Sequence, residues 1–292
     1  MERELWRILY RLARMLDKPW GRWKYAVSDV VGAYFWAVLH DRPTHWAAAR
    51  QNWPADLLPA WLPSQSTLSR RLRQPPTVDL MTTVEEHLVA LLNVGRCLTR
   101  MIDGKALAVS LVSKDPDTGF GRGAGGSQKG YKLHAIWDVG PMPIAWGLAP
   151  MNVSEKTVAS YLIPTLPGGG YLVADSQYDA NPVYESAAHA GFQLVAQKIK
   201  DRGRGGLGHR RQSDGRLRCL NLLSTEFGQA LMSHRNTIEG RFGAWVATGG
   251  GLGPLPAWVR RFNRVRNWVQ AKIIATGIRW LCLHRRDKLA LA

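Results

Sequence analysis

Cysteine is scarce in this chain of 292 residues: Cys97, Cys219 and Cys282 stand far apart in sequence. That spacing supports neither a disulfide framework nor a zinc knuckle and fits a reducing compartment. Long apolar runs are absent as well. The best candidate, Val30 to Leu39, is about ten residues where a membrane span needs about 20, so it reads as a buried helix and no membrane partner is expected. The opening Met1-Glu2-Arg3-Glu4-Leu5-Trp6 lacks the apolar core of a secretory signal, which points to the cytoplasm. The glycine-dense stretch from Gly119 to Gly126 lacks the Gly-Lys-Ser/Thr ending of a phosphate-binding loop and reads as a flexible hairpin connection. Acid is in deficit too. Lys and Arg number 39 against 22 Asp and Glu, a formal net charge of +17, and a field of that sign draws in polyanions such as DNA or RNA.

What is present divides near residue 97. Residues 1–97 read as an all-helical domain that carries seven of the 13 tryptophans: Trp6, Trp20, Trp23, Trp36, Trp46, Trp53 and Trp61. Leu5, Ile8, Leu9, Leu12 and Met15 recur at helical spacing, and Ser28 or Asp29 suits the N-cap of a helix through Val38. After Gln74-Pro75-Pro76, Leu80, Val84, His87, Leu88, Leu91 and Leu92 share a helix face, with Gly95 as its stop. Between them, the stretch from Pro63 to Arg73 resembles a helix-turn-helix recognition element. It would set Gln65, Ser66 and Ser69 near base edges and Arg70, Arg71 and Arg73 on phosphates. An ordinary capped surface helix fits the same residues.

Residues 98–292 read as a second, α/β domain. Strands are expected over Met101 to Leu111, Lys129 to Asp138, Pro143 to Leu148, Tyr171 to Asp175 and Phe192 to Ile199. Helices are expected from Ser154-Glu155-Lys156-Thr157 to Leu166 and from Asn181 to Ala190. Three meandering strands followed by alternating helices and strands imply a mixed five-stranded sheet flanked by helices. A short basic insertion at about 200–225 interrupts it. The late helix around Trp258 to Trp268 interleaves Arg260, Arg261, Arg264 and Arg266 with aromatics, as a tracker of DNA backbone would, while Val269, Ile273, Ile274 and Ile278 are expected to cover the sheet.

Three acidic residues have contexts that suit metal-binding carboxylates. Asp103 and Asp175 each close an apolar strand-like run, and Glu239 sits in a helical stretch. Singly, Asp103 before Gly104 fits a turn, Asp175 a helix cap and Glu239 a surface ion pair. Together they could converge in one pocket, where oxygen-only ligands favour Mg²⁺ and two ions about 4 Å apart would serve phosphodiester chemistry. Asp138 and Asp179 are rival carboxylates. His134 and His234 could handle protons, although a strand histidine is more often structural.

The motifs Ile102-Asp103-Gly104, Gly130-Tyr131-Lys132-Leu133-His134, Val173-Ala174-Asp175-Ser176-Gln177-Tyr178-Asp179 and Arg235-Asn236-Thr237-Ile238-Glu239-Gly240-Arg241-Phe242 appear in that order. In this they resemble the DDE transposases of bacterial insertion sequences, over about residues 98–285. The resemblance implies a ribonuclease H-like catalytic domain with Asp103, Asp175 and Glu239 as the metal triad, two Mg²⁺ ions for which Mn²⁺ can substitute, and cleavage at terminal inverted repeats followed by joining of the 3′-hydroxyl to target DNA. It implies an N-terminal DNA-binding and assembly domain, a homodimer that pairs two ends, and a nucleoid-associated location. Arg235 matches the arginine of the family's Tyr-x2-Arg-x3-Glu-x6-Lys signature, but Met232 and Val246 stand where the tyrosine and lysine would be. The residues expected on DNA are Arg235, Arg241, Lys129, Lys132, Lys198, Lys200, Arg70, Arg71, Arg260, Arg261 and Arg264. Two alternatives share these features: a ribonuclease H-like nuclease that cuts without joining, and a DNA-binding regulator or decayed transposase that does not cut.

Overall fold

The computed structural model describes residues 1–18, 21, 23–93, 97–123, 125–198, 212–235, 240–243, 245 and 252–284. They form two compact units, Met1–Leu92 together with Trp245–Ala292, and Asn93–Ala244. Among the described residues no helix is long and apolar enough to cross a membrane.

The first unit is helical: α1 (Glu2–Leu16), α2 (Val27–Leu39), α3 (Thr44–Ala47), α4 (Gln65–Arg71), α5 (Pro75–Leu92) and, from the far end of the chain, α10 (Phe262–His284). Helix α1 buries Leu5, Trp6, Leu9 and Ala13 and leaves Met15 exposed, so its apolar stripe is turned slightly from the one expected. Helix α2 is buried almost all round. Its N-cap is Ala26, two residues before the nearer of the expected caps. Asp29 acts as its third residue, accepting the Ala26 N–H at 3.1 Å and the Tyr10 hydroxyl at 2.7 Å. Three tryptophans form an aromatic core: Trp53 stacks on Trp36 at 4.8 Å between ring centroids and meets Trp6 edge-on at 5.3 Å. Each indole N–H donates to a backbone carbonyl, of Gly32, Asn52 or Ala47, so the rings bury their area without orphaning a donor.

Helix α5 faces inward through Leu80, Met81, Val84, Leu88 and Leu92, with Leu91 on the exposed side. The apolar side of α10, expected to cover the sheet, packs on α5, α1 and α2. Buried polar contacts fix it there. Asn267 donates to the Leu72 carbonyl, Gln270 to Glu85, and the Lys272 ammonium meets Asp41 at 2.5 Å. By packing, then, the last helix belongs with the N-terminal helices and not with the remainder of residues 98–292.

The second unit is a mixed sheet of six strands: β1 (Thr99–Val109), β2 (Gly119–Gly123), β3 (Gly126–Trp137), β4 (Pro143–Pro150), β5 (Gly170–Ala174) and β6 (Phe192–Ala196). The order is β2-β3-β1-β5-β6, with β4 pairing the later part of β3. Strands β1, β3 and β4 are antiparallel and β5 and β6 run parallel to β1, which is the ribonuclease H-like arrangement. Helices α6 (Glu155–Leu162), α7 (Asn181–His189), α8 (Asp214–Leu223) and α9 (Glu226–Ser233) accompany it.

Strand β2 is the addition to the expected five. Its glycines conceal it, because glycine disfavours strands. Here they make room: a Cβ on Gly121 would sit 2.2 Å from the Met151 carbonyl oxygen, so only glycine lets the turn after β4 lie against this strand.

Candidate metal centre

Register brings the first two carboxylates together. Parallel pairing of β1 with β5 aligns Met101 with Val173. Asp103 and Asp175 each lie two residues further on, and because strand side chains alternate, both emerge at one level on one face. The third member of the cluster is Glu155, the first residue of α6. Asp103, Glu155 and Asp175 each offer an oxygen, and all three oxygens lie within 4.8 Å of one another.

Among the described residues, burial and mutual repulsion of the acids outweigh the cations nearby. Burial raises the Asp103 pKa to about 6, and the charges of Asp175 and Glu155 add to the rise, while the Gly104 N–H, donated at 2.7 Å, and the charge of Arg235 oppose it. Asp175 is raised by burial and by Glu155, against an N–H donated by Gln177 at 2.8 Å. Lys132 of β3 is a cation in direct contact: its Nζ lies 2.6 Å from Glu155 Oε1 with both side chains mostly buried. Gly104 leaves space for that reach, since a Cβ there would come within 3.1 Å of Lys132 Cδ. Tyr178 is fully buried, its hydroxyl makes no well-formed hydrogen bond, and its pKa is driven well above normal by burial and by the same three carboxylates. Three hard oxygen donors and the raised pKa values of Asp103 and Asp175 fit a divalent cation of the Mg²⁺ kind.

The rival acids have other employment. Asp138 is buried and 3.6 Å from the Arg100 guanidinium. Asp179 is buried and takes two bonds of 2.8 Å from Arg216. Each is a structural ion pair. His134 is fully buried with neither ring nitrogen hydrogen-bonded, and burial lowers its pKa to about 3, so it stays neutral and shuttles no protons near pH 7.

The family described as the transposase DDE domain matches residues 98–276, more than half of the chain. This chain belongs to the DDE transposase family. No curated protein and no solved structure matches it.

Of the residues expected to serve this transposase domain, the structure brings together Asp103 and Asp175 and sets Arg235 near enough for its charge to act on both. Glu239 lies outside the described residues, as do Lys200, Val246 and residues 200–211 of the basic insertion; its described remainder carries α8. Glu155 is the residue that sequence reasoning missed. It looked like an ordinary acidic first turn of a helix, and nothing in its own stretch of sequence set it apart.

Several of the side chains expected on DNA are engaged within the protein. Lys132 holds Glu155, and Lys129 donates to the Ser113 carbonyl at 2.6 Å. Arg241 donates to the carbonyls of Gly140 and Val139 at 2.7 and 2.9 Å. Arg71 is buried, with its guanidinium 3.7 Å from the centroid of the Trp23 ring, which removes it from the surface. Arg260 donates to the Pro256 and Val259 carbonyls. Arg70, Arg261 and Arg264 are exposed, and Lys198 follows β6.

Proposed function

We propose that this chain is an insertion-sequence transposase that binds terminal inverted repeats, cleaves the phosphodiester at each element end and joins the freed 3′-hydroxyl to target DNA. The observation that carries the reading is the alignment of Asp103 and Asp175 on adjacent parallel strands, with Glu155 beside them and the Asp103 pKa raised by burial. Asp103, Asp175 and Glu239 would hold two Mg²⁺ ions, or Mn²⁺ in their place, and Glu155 supplies a further oxygen within reach. When bound, the ions lower the pKa of the attacking water or 3′-hydroxyl and stabilise the leaving oxygen.

The chain's own groups set the conditions for that step. Burial and mutual repulsion keep Asp103 and Asp175 poised to exchange protons for cations. Lys132 orients Glu155. Arg235, whose charge reaches both aspartates, would steady a DNA phosphate. The helical unit would hold the element end, and two ends cut and joined together call for a homodimer. The overall charge of +17 suits a protein held on the nucleoid.

The test is cleavage and joining of labelled DNA carrying the element's flanking inverted repeats. Asp103→Asn, Asp175→Asn and Glu239→Gln should each abolish both products while DNA binding persists. Near-normal cleavage by any one of them removes that residue from the triad. Cleavage without joining would favour the nuclease reading, and binding with no cleavage by the native protein would favour the regulatory one.

A further inference from the structure

Within the helical unit, the face that carries α4 is concave. A cleft of about 240 Å³ opens between α4, the turn after α2 and the first turns of α10, with Arg42, Gln65, Ser69, Arg73, Asn263 and Arg264 around it and Leu72 and Trp268 among its apolar residues. Among the described residues no carboxylate lines it. Arg42, Gln65, Arg73, Asn263 and Arg264 are exposed. Gln65, Ser69 and Arg73 follow one another at four-residue spacing, so two of the three residues expected near base edges, Gln65 and Ser69, and one expected on phosphate, Arg73, face this cleft and share it with α10, while Ser66 does not line it.

The walls come from opposite ends of the chain, yet they are tied together. Asn267 of α10 donates 2.9 Å to the Leu72 carbonyl at the end of α4. Lys272 of α10, 1 % exposed, holds Asp41 in a left-handed conformation (φ 49°) immediately before Arg42. Arg261 is also left-handed (φ 74°), and its carbonyl accepts the N–H groups of Arg264 and Val265 at the start of α10. Such backbone costs on the order of 1 kcal/mol or more for a side chain larger than glycine, and it persists only where surrounding contacts enforce it. The cleft is therefore a preorganised set of guanidinium, amide and hydroxyl donors with no carboxylate among its described lining residues; the neighbouring Asp41 is paired with Lys272.

We infer that this cleft binds the sugar-phosphate backbone of one DNA strand, with Arg42, Arg73 and Arg264 on phosphates and Gln65, Ser69 and Asn263 as the neutral partners. Guanidinium forks match phosphate oxygens, and amides and hydroxyls complete such contacts. The inference rests on the reading that the chain acts on DNA. It assigns end binding to the first and last helical segments jointly, where a free-standing recognition helix would need α4 alone.

The experiment measures affinity by fluorescence anisotropy in EDTA over a range of KCl. The probes are a labelled duplex carrying the flanking inverted repeat and a shuffled duplex. The double variant Arg73→Gln/Arg264→Gln is compared with Arg11→Gln/Arg50→Gln, which removes the same charge from exposed sites outside the cleft. The cleft variant should bind both duplexes at least tenfold more weakly, and the slope of log K against log salt should flatten by about 0.9 for each phosphate that is no longer neutralised. The control should keep the native slope, and thermal midpoints should be unchanged in both. Equal slopes in the two double variants would overturn the cleft assignment while leaving the enzyme reading intact. Failure of the native protein to bind either duplex would instead sink the reading on which it rests.

Discussion

Asp103→Asn should make the metal-free protein more stable. Asp103 titrates near pH 6 in the fold against an ordinary 3.8, so the folded state holds this proton more tightly than the unfolded chain. Below pH 3.8 the group is protonated in both states and adds nothing. Between 3.8 and about 6 the folded state binds more protons, so stability falls as pH rises, and above about 6 the full cost is present. About 2 pKa units correspond to a ceiling of about 3 kcal/mol, or about 6 to 12 °C in Tm for a domain of this size. Asparagine cannot ionise and escapes the cost.

The assay is thermal unfolding of native and variant protein in EDTA at intervals from pH 4 to pH 8. The variant's advantage should be near zero at pH 4, grow through pH 5 and level off above pH 6. Adding Mg²⁺ or Mn²⁺ at pH 7.5 should raise the native midpoint and leave the variant's unmoved, because the ion supplies the missing charge only where carboxylates bind it. A variant no more stable than the native protein at pH 7.5, or an advantage that does not shrink toward pH 4, would refute the electrostatic account of the site.

Other outcomes follow from the same geometry. Lys132→Met should tighten Mn²⁺ binding about tenfold or more by calorimetry, since it removes the cation paired with Glu155, and Glu155→Gln should weaken it. Arg71→Ala should cost about 2 to 3 kcal/mol in urea unfolding because it empties the buried place against the Trp23 ring, whereas Arg70→Ala should leave stability within about 0.5 kcal/mol. Arg241→Gln should cost about 2 to 3 kcal/mol by removing two bonds to carbonyls. The pH-rate profile should show no limb near 6.5 from His134, whose pKa lies at about 3, and an NMR titration of its ring should show no protonation down to pH 5.

Much of the sheet was legible from its apolar runs, although the run before Asp103 does not end there: β1 continues to Val109 with Asp103 inside it, and only Asp175 stands at a strand end. Their meeting follows from parallel register, which the alternating helices and strands implied. Strand β2 was hidden because its glycines answer to a neighbouring backbone, a tertiary demand that propensity does not register. The docking of α10 was hidden for a related reason: Val269, Ile273 and Ile278 announce burial without naming the surface that buries them. Glu155 lacked any local signal, since an acidic residue in the first turn of a helix is favourable on its own account. The fate of Arg71, Asp138 and Asp179 depended on single distant partners, Trp23, Arg100 and Arg216, that no spacing rule supplies.

Carboxylates from several segments should hold divalent metal at one point, and iron-directed cleavage of the protein measures this most directly. Fe²⁺ takes the place of Mg²⁺, ascorbate and peroxide generate radicals at the ion, and mass spectrometry maps the cut peptide bonds. Cuts beside Asp103, Glu155, Asp175 and Glu239, suppressed by excess Mg²⁺ and abolished in Asp175→Asn, are the predicted result. Cuts scattered elsewhere, or cuts at these positions that Mg²⁺ does not displace, would contradict it.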